Sequence, residues 1–262
     1  MLSSLQNKRI KDLLLLQQKS SRRRQQGLFV VEGRRELQQC IDAGYEIDNI
    51  YLCPDLLPAD SVALGWSGRA VTEVTRAVYE RIAYRGSTEG VVAVVRQPRF
   101  RLDKLSLPPR PLIIVLESVE KPGNLGAVLR SADAAGVDAV IVCDPLCDIY
   151  NPNTIRASLG AVFTVPCLSC PSEECISFLK RHGIRILTAQ LQDSEPYYDT
   201  DMLSPTAIVM GTESTGLTDA WRRAADAHIR IPMLGNLDSL NVSVSAAILI
   251  YEAVRQRLIQ EG

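Results

Sequence analysis

The chain has 262 residues, 46% hydrophobic and 23% charged, with a net charge of −1. That composition excludes a disordered polyelectrolyte and describes an ordinary soluble globular chain, comfortable for two domains. No apolar run reaches the roughly 18 residues of a membrane helix, and "DLLLLQQ" near the N-terminus is too short for a signal peptide and is followed by basic residues.

Charge is uneven along the chain. Residues 1–27 carry Lys8, Arg9, Lys11, Lys19, Arg22, Arg23 and Arg24 against Asp12 alone, which leaves the remainder acidic. A basic head on a mildly acidic body fits an anionic polymer partner, and equally a solvated basic helix over 1–27.

"LFVVEG" then reads as a strand ending in Gly33, and "RRELQQCIDAG" as a helix stopped by Gly44. "IDNIYLC" is a second strand, "TRAVYERIAY" a helix and "GVVAVVR" a third strand. These elements predict a small α/β domain over residues 1–96. The proline-bearing "QPRFRLDKLSLPPRP" lacks clean periodicity and predicts a linker at 97–110.

From residue 111 the pattern alternates. Strands are predicted in "LIIVLES", "DAVIVC", "VFTVP", "IRILTAQ", "TAIVMG" and "HIRIPM". Helices fall near 124–135, 152–159, 173–182, 217–224 and 241–258. Short apolar strands alternating with helices mean a parallel sheet covered on both faces, over residues 111–262.

Three strand-to-helix junctions carry polar residues. "EKPGNLGAVLRSADAAG" sets Asn124 at a helix start and Arg130 six residues on. It is not G-x-G-x-x-G, and no Walker Lys follows, which argues against a nucleotide-dependent oxidoreductase. "VMGTESTGLT" holds Glu213 between Gly211 and Gly216, at the carboxyl end of a strand, where parallel sheets bind ligands. "IPMLGNLDSLNVSVSAAILIYEAVRQ" sets Ser239, Asn241 and Ser243 before a largely apolar helix. Taken alone, each junction reads as a capped turn; the conjunction of all three is the specific signal.

Those three stretches, in that order, resemble the SpoU (TrmH-type) branch of the SPOUT RNA methyltransferases. "NPNTIRASLGAVF" is similar to the family segment between the first two motifs, and "FVVEGRRELQQCIDAG" looks like the L30e-like RNA-binding domain that precedes the catalytic domain in many rRNA-modifying members. The resemblance implies an S-adenosylmethionine-dependent enzyme that methylates a ribose 2′-hydroxyl of RNA, with rRNA of the 23S type favoured by the extra domain. A tRNA enzyme of the same family and a non-catalytic RNA-binding protein are the alternatives. It also implies a C-terminal domain with a deep trefoil knot, a homodimer formed through that knot, and a cytoplasmic location.

By motif match, Asn124, Arg130, Glu213, Ser239 and Asn241 are the expected catalytic set. Thr188, Ala189, Gly211, Ile231, Met233 and Leu240 are expected near the cofactor, largely through backbone groups. Arg130 is read either as a general base or as a charged clamp on the target phosphate. Arg22, Arg23, Arg24, Arg34 and Arg35 are candidates for RNA contact, with a solvated helix face as the other reading of the last two. The transfer needs no metal, because the leaving group departs as a neutral thioether.

Seven cysteines, an odd number in a chain this long, point to a reducing setting. Cys167, Cys170 and Cys175 with His182 fit no common zinc spacing and read as buried or free thiols. Cys143 and Cys147 offer still less. Trp66 and Trp221 read as packing residues.

Overall fold

The computed structural model describes residues 1–57, 66, 68–84, 89–212 and 215–261. The chain forms two compact units: Met1–Arg99 with Tyr150–Arg156, and Phe100–Ile149 with Ala157–Gly262. The first unit therefore takes back a short segment from the middle of the second. The division after Arg99 falls inside the expected linker. Leu102, Leu105 and Leu107, also from that stretch, pack against the core of the second unit.

The first unit comprises α1 (Lys8–Gln18), α2 (Ser20–Gln26), β1 (Leu28–Glu32), α3 (Arg34–Asp42), β2 (Ile47–Leu52), β3 (Val71–Glu73), α4 (Arg76–Ile82) and β4 (Val91–Arg96). Its sheet has the order β1-β4-β2-β3, with β4 antiparallel to both neighbours and β3 parallel to β2. The short strand β3 was not expected from the sequence. Nor is the basic head one helix: it breaks at Lys19, whose φ of −120° and ψ of 113° are extended. Gly27, at φ 63°, ends α2 and turns the chain into β1. Ile10, Leu13 and Leu16 of α1 pack with Val30, Val78, Tyr79 and Ile82 in the core. Tyr150, from the returning segment, stacks on Phe29 with ring centroids 4.3 Å apart.

The second unit comprises β5 (Leu112–Glu117), α5 (Pro122–Ala134), β6 (Ala139–Cys143), α6 (Pro152–Ser158), α7 (Ala161–Thr164), β7 (Cys167–Cys170), α8 (Ser172–Arg181), β8 (Arg185–Ala189), β9 (Glu195–Pro196), β10 (Thr206–Met210), α9 (Asp219–Ala224), β11 (Ala227–Arg230) and α10 (Val242–Glu261). Of these, helix α6 belongs to the first unit through Arg156, and only its last two residues to the second. The seven strands run in the order β7-β6-β5-β10-β8-β11-β9, and every neighbouring pair is parallel. Strands β5, β6 and β10 are buried at every position, as a two-faced parallel sheet requires.

Alternation along those strands divides the core. Ile113, Val115, Ala139, Ile141, Ala207 and Val209 face Phe178, Leu179 and Trp221 of α8 and α9. The alternate residues, such as Ile114, Leu116, Val140 and Val142, are equally buried and meet the opposite layer, in which α5 and α10 pack on each other and on β6 and β10.

"VFTVP" is helical rather than extended: Val162, Phe163 and Thr164 lie in α7, and the strand is the following "CLSC". Two left-handed residues, Leu159 at φ 52° and Gly160 at φ 89°, turn the chain between α6 and α7. The β-branched character of the run is overridden by burial of Val162 and Phe163.

Candidate active site

Strand order reverses between β5 and β10: β6 and β7 continue on one side of β5, while β8, β11 and β9 lie beyond β10. Open parallel sheets bind ligands outside the carboxyl ends of the strands at such a point. A cleft lies there, lined by Leu116, Glu117, Val119, Glu120, Lys121, Asn124, Gly211, Thr212 and Val242. It draws on the ends of β5 and β10 and the starts of α5 and α10.

Helix α5 begins at Pro122, with Lys121 as its N-cap and no side-chain cap. Proline suits this first position, where its missing N–H is not needed. Asn124 therefore sits inside the first turn, rather than capping the helix. The capping residue is Asn241, immediately before α10. Its Oδ1 accepts from the Ser243 backbone N–H at 2.9 Å and from the Ser243 hydroxyl at 2.6 Å. Its Nδ2 donates to Asn124 Oδ1 at 3.1 Å. Two of the expected residues, 117 apart in sequence, thus meet.

The other three expected catalytic positions differ. Arg130 is exposed on α5, two turns past Asn124 and outside the cleft lining. Ser239 lies exposed on the connection between β11 and α10. Glu213 lies outside the described residues.

Around Glu213 the described backbone is tightly held. Gly216 N–H donates to Thr212 O at 3.1 Å, and the Thr212 and Thr215 hydroxyls are 2.7 Å apart. A Cβ on Gly211 would lie 2.3 Å from the Gly216 backbone, so only glycine fits there. Beyond the loop, buried Glu117 accepts from the Thr218 N–H at 2.8 Å and from its hydroxyl at 2.7 Å. Ser172 adds a hydroxyl at 3.3 Å to the same carboxylate and accepts from Trp221 Nε1 at 3.0 Å. Glu117 was not among the sequence candidates, although it ends the strand before the first motif. Trp221 is fully buried, as a packing residue.

The expected cofactor positions fall on neighbouring strand ends. Ala189 pairs with Met210, just before Gly211, and with Ile229, just before Ile231 and Met233. Thr188 is buried, its hydroxyl 2.6 Å from His228 Nδ1 on β11, so its side chain serves the sheet and only its backbone is available. Leu240 lies on the exposed 234–241 connection, where Leu234 is 97% exposed.

Of the basic candidates, Arg24 and Arg35 are exposed. Arg22 is half-buried, 3.7 Å from Asp12. Arg34 is half-buried and its backbone N–H donates to Glu89 Oε2 at 2.6 Å. Arg23 corrects the sequence reading. It is 1% exposed, and its Nη1 donates to Leu16 O at 2.6 Å and Gln17 O at 3.1 Å. Its charge ties α2 to the end of α1 and is not available to a partner.

A family model described as the SpoU rRNA Methylase family matches residues 111–251, and one described as the MRM3-like substrate binding domain matches residues 7–93. A curated Bacillus subtilis protein, "23S rRNA (guanosine(2553)-2′-O)-methyltransferase RlmP", is 28% identical over 95% of this chain and 97% of its own. A crystal structure described as an RNA 2′-O ribose methyltransferase is 39% identical, covers 98% of this chain and 99% of its own, and superposes with a TM-score of 0.84. The SpoU methyltransferase AviRb from Streptomyces viridochromogenes, solved with AdoMet, is 28% identical over 97% of this chain and 99% of its own, with a TM-score of 0.90.

Proposed function

This chain belongs to the SpoU rRNA methylase family, and from that membership we propose that it transfers a methyl group from S-adenosylmethionine to a ribose 2′-hydroxyl of 23S-type rRNA. The observation that carries the reading is the meeting of Asn124 and Asn241 beside a cleft at the strand-order reversal, in a fold shared along nearly its whole length with AdoMet-bound AviRb.

The residues present fit the cofactor. The ends of β8, β10 and β11 lie side by side. Gly211 leaves its backbone uncovered by a side chain, and Ile231 and Met233 are half-buried apolar neighbours. Thr188, Ala189, Gly211, Ile231, Met233 and Leu240 would hold S-adenosylmethionine, which supplies a methyl group on a sulfonium when bound. Asn124 and Asn241 orient the ribose; their amides present both donor and acceptor atoms to a hydroxyl. Exposed Arg130 clamps a phosphate of the incoming RNA, and the 2′-hydroxyl proton passes to water. Ser239 and Glu213, the latter outside the described residues, are proposed as further members of the catalytic set on the family resemblance alone.

The finer features of the reading follow the family. The C-terminal unit closes as a trefoil knot, with the 231–241 connection as part of it. It forms a homodimer. Val244, Tyr251 and Leu258 support this, since they recur every seven residues along α10 and are 47%, 49% and 64% exposed. The first unit holds the RNA through Arg24, Arg35 and their neighbours, and the protein works in the cytoplasm. Among the described residues no helix is long and apolar enough to cross a membrane.

The test is methyl transfer from labelled S-adenosylmethionine to unmodified large-subunit rRNA and, separately, to bulk tRNA. Label in rRNA is the expected result. Label confined to tRNA would overturn the substrate assignment and leave the reaction standing.

A further inference from the structure

On the opposite side of the sheet core from the α5–α10 layer, three cysteines converge. Cys143 ends β6, Cys170 ends β7, and Cys175 lies in the first turns of α8. Cys143 and Cys170 are direct partners in the parallel register. The three sulfurs all lie within 4.8 Å of one another, and all three residues are buried. These are not the residues that sequence spacing suggested. Cys167 lies outside the group, and His182 is occupied elsewhere: its Nδ1 is 2.8 Å from Phe178 O and its ring lies tilted against Phe178, centroids 4.2 Å apart. The third donor is Cys143, 27 residues before Cys170, and only the sheet register brings it in.

We propose that Cys143, Cys170 and Cys175 form a binding site for one soft, closed-shell metal ion held in three-coordinate thiolate geometry, with the cuprous ion as the best-matched member of that class. A metal about 2.3 Å from each sulfur requires S···S separations near ~4.0 Å, inside the limit the cluster sets. Thiolate sulfur selects soft ions such as Cu(I) over harder ones. Among the described residues no fourth His, Cys, Asp or Glu joins the group. Burial also leaves little access for a water ligand, so a tetrahedral zinc site is disfavoured.

The frame is fixed before any ion arrives. Cys143 O accepts from Ser118 N–H at 2.8 Å, and Cys170 O accepts from Asp144 N–H at 3.2 Å. Asp144, at φ 46°, receives the Ser172 N–H at 3.1 Å and so pins the start of α8. Binding displaces thiol protons, so affinity falls as pH falls. None of the three cysteines lines the cleft, although Cys143 is the register partner of Glu117, which does; the proposal does not depend on the methyl-transfer reading.

The experiment uses the full chain, reduced and freed of metal, titrated anaerobically with Cu(I) against a chromophoric cuprous chelator, with Zn(II) in a parallel arm. One copper per chain, and an absorption-edge spectrum with three sulfur neighbours, is the expected result. Cys170→Ser and Cys175→Ser lose at least tenfold in copper affinity, while Cys40→Ser, in the first unit, does not. The wild-type spectrum decides the matter even if a variant fails to fold. No copper retained against the chelator, copper on nitrogen or oxygen donors, or preferential four-coordinate zinc would each overturn the proposal.

Discussion

Asn241 donates its side-chain amide to Asn124 Oδ1 across 3.1 Å, joining the starts of α10 and α5. The same Asn241 caps α10 through its other side-chain atom. The two duties separate by substitution. Asn241→Ala removes both and lowers stability by about 1 kcal/mol, the usual cost of an N-cap. Asn241→Asp keeps the capping acceptor, favoured at a helix N-terminus, but loses the donor to Asn124. Urea unfolding and single-turnover methyl transfer on both variants check this. The Asp variant keeps its stability yet loses at least tenfold in rate, matching the Ala variant.

Gly211 is closed to any side chain by the Gly216 backbone. Gly211→Ala forces that loop to move and lowers stability by about 1–3 kcal/mol, as overpacking does. Because Gly211 also lines the cleft, equilibrium binding of S-adenosylmethionine weakens by tenfold or more. Calorimetric titration alongside thermal melting measures both.

Arg23 and Arg24 are sequence neighbours with different fates. Arg23→Ala leaves the carbonyls of Leu16 and Gln17 without their charged donor and costs about 2–3 kcal/mol. Arg24→Ala, at an exposed position, leaves stability within about 0.5 kcal/mol. It reduces the salt dependence of RNA binding by about one phosphate contact. Melting curves and binding isotherms at several salt concentrations separate the two.

Acid sensitivity has one identifiable source in α10. The Arg255 guanidinium, 2.8 Å from Glu252, holds that buried carboxyl below the ordinary glutamate range, assisted by a Gln256 hydrogen bond. A carboxyl depressed on folding contributes stability that is present above its unfolded pKa and lost as pH falls through its folded one. Stability of the wild type therefore declines below about pH 4, and Glu252→Gln flattens that part of the profile. Denaturant titrations from pH 3 to 6, a range set by the ordinary glutamate value of about 4.3, show the difference in slope.

Much of the C-terminal unit was legible in the chain, because buried parallel strands leave continuous apolar runs and each strand-to-helix junction carries its own polar signature. "VFTVP" misled because a short β-branched run has no period of its own, and Gly160 and burial decided for a helix. Arg23 was misread as a contact because its helix breaks at Lys19, which folds α2 back so that the guanidinium reaches the end of α1. The Asn124–Asn241 bond, the Glu117–Thr218 tie across 101 residues and the place of Cys143 beside Cys170 are products of sheet register. No local spacing encodes them.

We propose that ribose is methylated in the cleft beside the Asn124–Asn241 pair. The most direct measurement is the position of labelled methyl in rRNA after incubation with the wild type, Asn124→Ala and Arg130→Ala, read by alkaline hydrolysis. A single alkali-resistant dinucleotide is expected, since a 2′-O-methyl blocks cleavage, with at least a hundredfold less in either variant. Label that is fully released as mononucleotides would place the methyl on a base and overturn ribose methylation.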